Sequence, residues 1–567
     1  MSVTGTQATL RPELDRAVGE LKVGAERWAR TPVAERAALF RRVHASVAAV
    51  ADEWAAAALR AKRVAPTAPY AGEEWMTGPY GALEGAAAYA RSYEALAAGR
   101  SPVDGLRLGA APGNRVAVQV LPRTLQERLL FHGFRAEVWM PPGVTAQQVR
   151  HDAGLGAGAV GEYGGVGLVL GAGNISSIAP LDAFYELVAH NRASLVKLNP
   201  TFAGLADVYR AALAPLVEAD VVRIVTGDAE AGAYLTGHRG IDTVHITGAA
   251  ATHDAIVWGT GEEAARRRAA NNPRLAVPIT SELGGVAPMI VVPGRWSAAD
   301  LRYQAEHLVS MRLHNSGHNC VAGQVIVLSA DWAQKDDFLA ELRAALARMP
   351  ARDPWYPGTD RKVARARDAH PRAEHLAGRL LTRVEPGDPA CTDEYFAPVL
   401  AWTELPGHGA EFLRGAVRFA NDSLAGTLGA NLVVRPQDRA AMGPAFDGAV
   451  ADLRYGTVAI NAWTGVAFLL PGATWGAYPG HTLADVGSGI GVVHNGHLLS
   501  RPERTVLTGP FRPFPRSVLH GELSAFPKPP WFSGSRSATA TGEALTRYAA
   551  EPTWRRLLPV LLAAFRA

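Results

Sequence analysis

The feature that most constrains the fold is a repeated strand–turn–helix pattern that begins at Gly164. Val166-Gly167-Leu168-Val169-Leu170 is a short apolar run, Gly171-Ala172-Gly173-Asn174-Ile175-Ser176 is a tight turn, and Pro180 to His190 has helical spacing. Ala193 to Leu198 is the next apolar run. Val221–Val225 ends in Thr226-Gly227, Thr243–Ile246 ends in Thr247-Gly248, and Pro278-Ile279-Thr280 leads into Glu282. Short apolar runs alternating with helical stretches predict parallel strands joined by crossover helices. Such sheets bind nucleotides at the strand ends. As a dinucleotide fingerprint the first turn is incomplete. Ser176 stands where the third glycine belongs, and Lys197 rather than an acid lies near the end of the second strand.

A second α/β region follows. Val286–Val292 reads as a strand, 298–313 as a helix, and Asn315 to Gln324 as a polar, Gly-rich loop running into Val325-Ile326-Val327-Leu328. That loop carries Cys320, one of two cysteines. A thiol on a loop anchored by a buried strand can be presented to a cleft. With the carboxylate of Glu282 upstream, the pair suggests a nucleophile and a general base. Cys391 reads as an inert core thiol. Glu394–Leu400 is strand-like, Ala416–Leu424 helical, and Gly429–Val434 and Tyr455–Asn461 are strands.

Outside these regions the chain reads as scaffold. Residues 11 to about 100 are Ala-rich and helical, with Thr31-Pro32-Val33-Ala34-Glu35 as a capped helix start and Ala37–Ala61 as a continuing helix. Arg115–Pro122 and Ala136–Met140 alternate like strands and predict a small protruding sheet. Thr505–Gly509 is a late strand. Pro527–Ser537, rich in Pro, Ser and Gly, reads as a linker or draped loop, and Pro552–Ala567 as an amphipathic helix.

A chain of 567 residues needs more than one core. A net charge of +4 without a dense basic run argues against nucleic acid as partner. No apolar run is long enough for stable membrane insertion, and Met1–Thr6 does not open a signal peptide. A cytoplasmic location, with the thiol kept reduced, is therefore expected. No metal site is expected.

Taken together, the motifs resemble the aldehyde dehydrogenase superfamily over residues 15 to 510. Asn174 falls on the Asn of the family's Trp-Asn-Phe-Pro turn, and Lys197 on the Lys that contacts the adenosine ribose. Thr247-Gly248 matches the Phe-Thr-Gly-Ser turn near the pyrophosphate, and Glu282-Leu283-Gly284-Gly285 the Glu-Leu-Gly-Gly block. Asn315-x-Gly317-x-x-Cys320 matches the thiol loop, and Glu394-Tyr395-Phe396-Ala397-Pro398-Val399 resembles the Glu-Ile-Phe-Gly-Pro-Val segment. The chain departs from the pattern at Gly173 for Trp, Ser176 for Pro, His318 for Gln, Ala249 for Ser, and Pro200 where NAD-preferring members carry Glu.

The resemblance implies an α/β fold with a Rossmann-type nucleotide domain (1–114 and 142–284) and an α/β catalytic thiol domain (285–490). It also implies a small oligomerisation hairpin (115–141), a return strand (491–521) and a C-terminal extension (522–567). Cys320, Glu282 and Asn174 would be catalytic, and Lys197, Gly248, Glu394, Gly227 and Leu283 would hold the cofactor. NAD or NADP is implied, the choice left open by Pro200. The substrate would be a small-molecule aldehyde and the assembly a homodimer or homotetramer. A CoA-dependent acyl reductase and a catalytically degenerate scaffold are the alternatives on the same fold.

Overall fold

The computed structural model describes residues 3–158 and 160–567, with backbone alone for residues 3–10. Two sheets organise the molecule. The first has the order Gly489–Ile490, Ile279–Leu283, Thr243–Gly248, Val166–Leu170, Ala193–Lys197, Val222–Val225. The last five strands run parallel, and Gly489–Ile490 pairs antiparallel with the strand of Glu282. These strands are rich in Val, Ile and Leu because helices cover both faces. Strand order reverses between Val166–Leu170 and Thr243–Gly248, which opens a crevice at their carboxyl ends. The helix Ile178–His190 leaves that crevice and ends on Asn191, whose φ of 59° makes a left-handed cap.

The second sheet has eleven strands among the described residues. Gly323–Ser329 is an interior strand, flanked in parallel by Ala287–Val291 and Val399–Leu405. Every residue of Gly323–Ser329 is buried. Thr457–Ile460 pairs with Arg504–Thr508, which carries Arg135–Trp139, Arg115–Leu121 and Leu108–Ala111 to the sheet's edge. The protruding element thus begins at Leu108, ahead of the boundary expected at 115, because Leu108–Ala111 folds back on Arg115–Val118.

Other expectations differ in detail. The helix expected over 37–61 is two, Val33–Ala49 and Ala51–Ala61, parted at Val50. The Thr31 hydroxyl donates back to Arg27 O and does not cap the next helix. Glu394 precedes its strand, which starts at Val399, because Phe396 takes a φ of 47°. Glu282 lies inside a strand, not after it. The segment 527–537 is no free linker: Trp531 and Phe532 are buried in the core of the second sheet. A helix Ala538–Ala550 then precedes Trp554–Ala564, and no described helix is long and apolar enough to cross a membrane.

Candidate active site

Cys320 sits just before the strand Gly323–Ser329 of the second sheet, where the carboxyl ends of the first sheet face it. The loop that leads to it is bent by consecutive left-handed residues, Asn315 (φ 53°), Ser316 (φ 57°) and Gly317 (φ 82°). A Cβ on Gly317 would lie 2.8 Å from the Ala397 carbonyl, so only glycine fits there. Asn315 tolerates its conformation better than most residues and is gripped on every polar atom. Its N–H donates to Glu73 Oε2 (2.8 Å). Its Oδ1 accepts from Lys62 Nζ (3.1 Å) and Trp355 Nε1 (3.2 Å). Its Nδ2 donates to Asn174 O (3.0 Å) and His318 O (2.9 Å).

Behind Asn315 lies a buried charge cluster that no sequence motif marks. Lys62 Nζ donates to Glu74 Oε1 at 2.7 Å, and Arg352 pairs with Glu73 at 2.6 Å. Burial opposes ionisation of Glu73, yet Arg352, His314 and the Asn315 N–H together hold its carboxyl below the usual range. Burial raises Glu74, with Lys62 offsetting part of the rise. These residues are ordinary in sequence and meet only through the fold.

Asn174 is brought to the thiol loop. Its Nδ2 donates to His318 O at 3.0 Å, two residues before Cys320. The turn that carries it is tight: a Cβ on Gly173 would lie 2.5 Å from Asn199 Cγ, and the Thr201 hydroxyl donates to Gly173 O. The space of the family's Trp is therefore filled by Asn199 and Thr201. Ser176, in place of Pro, is buried and accepts from Trp54 Nε1 (3.0 Å). The His318 Nδ1–H donates to Phe396 O (2.8 Å), and the ring packs on Tyr356 and Phe396.

Glu282 is 3% exposed. Burial pushes its carboxyl up to about 7, against hydrogen bonds from the Cys320 thiol and from Trp475 Nε1, the latter at 3.1 Å. Burial likewise pushes the Cys320 thiol well above its usual range, and the Glu282 and Glu394 carboxylates push the same way. The thiol proton therefore rests on sulfur with a carboxylate poised to take it. Trp475 had drawn no role from sequence, since a lone aromatic near the site is most often core.

Two cavities meet at this pair. One, of about 780 Å³, runs along the crevice of the first sheet and is lined by Gly171, Asn174, Lys197, Gly248, Lys362 and Glu394. Gly227 and Leu283 flank it without lining it: Gly227 stands beside the lining residue Asp228, and the Leu283 N–H donates to Ser488 O (2.8 Å). Burial lowers the Lys197 ammonium, with Asp228 opposing. Burial also pushes Glu394 up to about 7, against Lys362 and Arg312. Glu394 Oε1 is buried without a hydrogen-bond partner, and a Cβ on Gly284 would lie 2.1 Å from it. An orphaned acceptor at one end of the crevice and a cation at the other suit a ligand with hydroxyls and phosphates. The other cavity, of about 160 Å³, approaches Cys320 and Glu282 from the opposite side and is mostly apolar. Among the described residues, no group of three His, Cys, Asp or Glu could hold a metal.

Residues 198–363 match the model of the aldehyde dehydrogenase family. Over 283 residues the chain is 24% identical to 4,4'-diapolycopene-4,4'-dial dehydrogenase of Cytobacillus firmus, covering 47% of this chain and 57% of that protein. The chain thus spans little more than half the length of that curated relative. Among solved structures, gamma-glutamyl-gamma-aminobutyraldehyde dehydrogenase from Burkholderia cenocepacia is 20% identical over 87% of each chain, with a TM-score of 0.57. Aldehyde dehydrogenase C from Pseudomonas syringae, complexed with NAD+ and octanal, is 18% identical over 88% of this chain and 90% of that one, with a TM-score of 0.58. At these identities the structures speak for the fold.

Proposed function

We propose, for a chain that belongs to the aldehyde dehydrogenase superfamily, that it oxidises an aldehyde to a carboxylic acid with NAD or NADP through Cys320. The observation that carries this reading is the meeting of two cavities at one thiol–carboxylate pair.

The Cys320 sulfur attacks the aldehyde carbon while Glu282 takes the thiol proton, giving a thiohemiacetal. The Asn174 amide and the Cys320 N–H stabilise the oxyanion, a donor of this kind being worth roughly 3 kcal/mol. NAD or NADP, held by Lys197, Gly248 and Glu394 and flanked by Gly227 and Leu283, would supply the hydride acceptor that leaves a thioester on Cys320. After that proton has passed from Glu282 to solvent, the carboxylate deprotonates the water that releases the acid. A carboxyl at about 7 is a far stronger base than an ordinary glutamate, which favours water over CoA as acceptor. No carboxylate follows Lys197 at residues 198–200, so nothing there repels a ribose 2′-phosphate. Leu108–Ala111 leaves an outer sheet edge through which a homodimer or homotetramer would form.

The test is reduced-nicotinamide formation from a panel of aldehydes with NAD or NADP, with and without CoA, in wild type and Cys320→Ala. Turnover without CoA that disappears in the variant supports the reading. Turnover that requires CoA would replace it with acyl reduction, and none under any condition with the scaffold alternative.

A further inference from the structure

We propose that the C-terminal segment from Ser524 to Ala564 is the outer wall of the aldehyde channel and selects slender, uncharged, apolar aldehydes. This rests on the reading of Cys320 as the nucleophile.

The wall reaches close to the thiol. Trp463 Nε1 donates to the carbonyl of Val321, the residue after Cys320, at 3.1 Å. The Trp531 ring lies 5.7 Å from that of Trp463, and Phe532 lies 4.6 Å from Trp531. Farther out, Phe526, Leu545, Val560 and Ala564 line the same channel. A cavity near 160 Å³ has the volume of a benzene-sized site, yet its lining extends from Cys320 to the last helix. So small a volume spread over so long a path admits a thin chain and not a bulky ring system.

The wall is fixed. A Cβ on Gly72 would lie 2.3 Å from Ala538 O, and one on Gly542 2.7 Å from Gly72 O, so the short helix Gly72–Trp75 and the helix Ala538–Ala550 meet at backbone contact. The Gly72 N–H donates to Thr539 Oγ1 (3.1 Å), and the Ser533 N–H to Ser310 Oγ (2.9 Å).

Among the described residues the lining offers no unpaired Lys or Arg for an acidic tail. Lys528 is paired with Glu306 at 2.7 Å. Asp182 accepts from Thr247 Oγ1 at 2.9 Å. His307, His314 and His494 are buried, which lowers them to about 3, 4 and 4 and keeps them neutral. A carboxylate or phosphate drawn into this channel would lose its water and gain no counter-ion.

Titration calorimetry with unreactive probes tests this on the full chain without turnover. 1-Octanol should bind at least about a hundredfold more tightly than 8-hydroxyoctanoate. Leu545→Trp, which fills the channel, should weaken 1-octanol about tenfold or more, and Leu545→Ala, which widens it, should admit 1-adamantanemethanol. Equal binding of the alcohol and the hydroxy acid overturns the proposal. So does 1-octanol affinity untouched by Leu545→Trp in a variant whose melting temperature is that of wild type. If Leu545→Trp does not fold, Leu545→Ala decides alone, and failure to admit the bulky alcohol overturns the proposal. Octanol binding that follows this pattern without aldehyde turnover would sink the catalytic reading and leave the channel. Turnover indifferent to chain and charge would sink the channel alone.

Discussion

The indole N–H of Trp475 donates to Glu282 Oε1 at 3.1 Å, and the ring closes the apolar side of that carboxylate. The bond fixes which way the carboxylate points. It also lowers the carboxyl's pKa, opposing the burial that lifts it to about 7. Trp475→Phe should keep the packing, remove the donor and move the acid limb of kcat upward by roughly half a unit to one unit. A limb left where it was would mean that Trp475 only packs.

The limb itself follows from Glu282. The base works ionised, so below about pH 7 its competent fraction falls and kcat should drop close to tenfold per unit. The rate should rise through pH 7 and level above it. Glu394 also stands near 7, so the limb has to be assigned by mutation. A limb that survives in Glu394→Gln and is lost in Glu282→Gln places it on Glu282, and the reverse pattern would place it on the cofactor side.

The raised carboxyl has a cost to the fold. Unfolded, Glu282 would titrate near 4.5; folded, near 7. Between these values the native state binds the proton more tightly, so stability falls as pH rises and the loss is complete above about 7. The difference corresponds to about 3 kcal/mol. Glu282→Gln should therefore melt higher than wild type at pH 8 and alike at pH 4. Equal melting at both would show that the carboxylate is more hydrated than its burial implies.

Lys62 should matter well beyond its own contacts. Lys62→Met leaves Glu74 buried without its partner and should cost about 3–5 kcal/mol in denaturant unfolding. It also takes a donor from Asn315, so kcat should fall along with stability. Lys62→Met with Glu74→Met should recover most of the stability and little of the rate. Full recovery of both would reduce the cluster to a folding element.

The parallel sheets, the thiol and its carboxylate were legible because each lies in a few contiguous residues. Val166–Leu170 is apolar wherever it is placed, and the block Glu282–Gly285 is unusual enough to be recognised. Asn315 was legible as a motif residue, but its partners Lys62, Glu73 and Trp355 come from distant parts of the chain and are common residue types. No local pattern announces a buried ion pair. The stretch 527–537 was read from its Pro, Ser and Gly content, which reports the absence of regular structure and not exposure. Trp531 and Phe532 were the only hint that it is buried, and two aromatics do not say what they pack on.

The pairing of Gly489–Ile490 with Ser281–Glu282 has a bearing on how the molecule is made. The Ile490 N–H reaches Ser281 Oγ across 209 residues of chain. Until that late stretch leaves the ribosome, the strand bearing the base is an open border of the first sheet, with backbone groups free to join another chain. Synthesis would thus pass through a window in which the first sheet is formed but unhemmed. Gly489 pairs with Glu282 itself, so the strand that carries this carboxylate is sealed in the same late event.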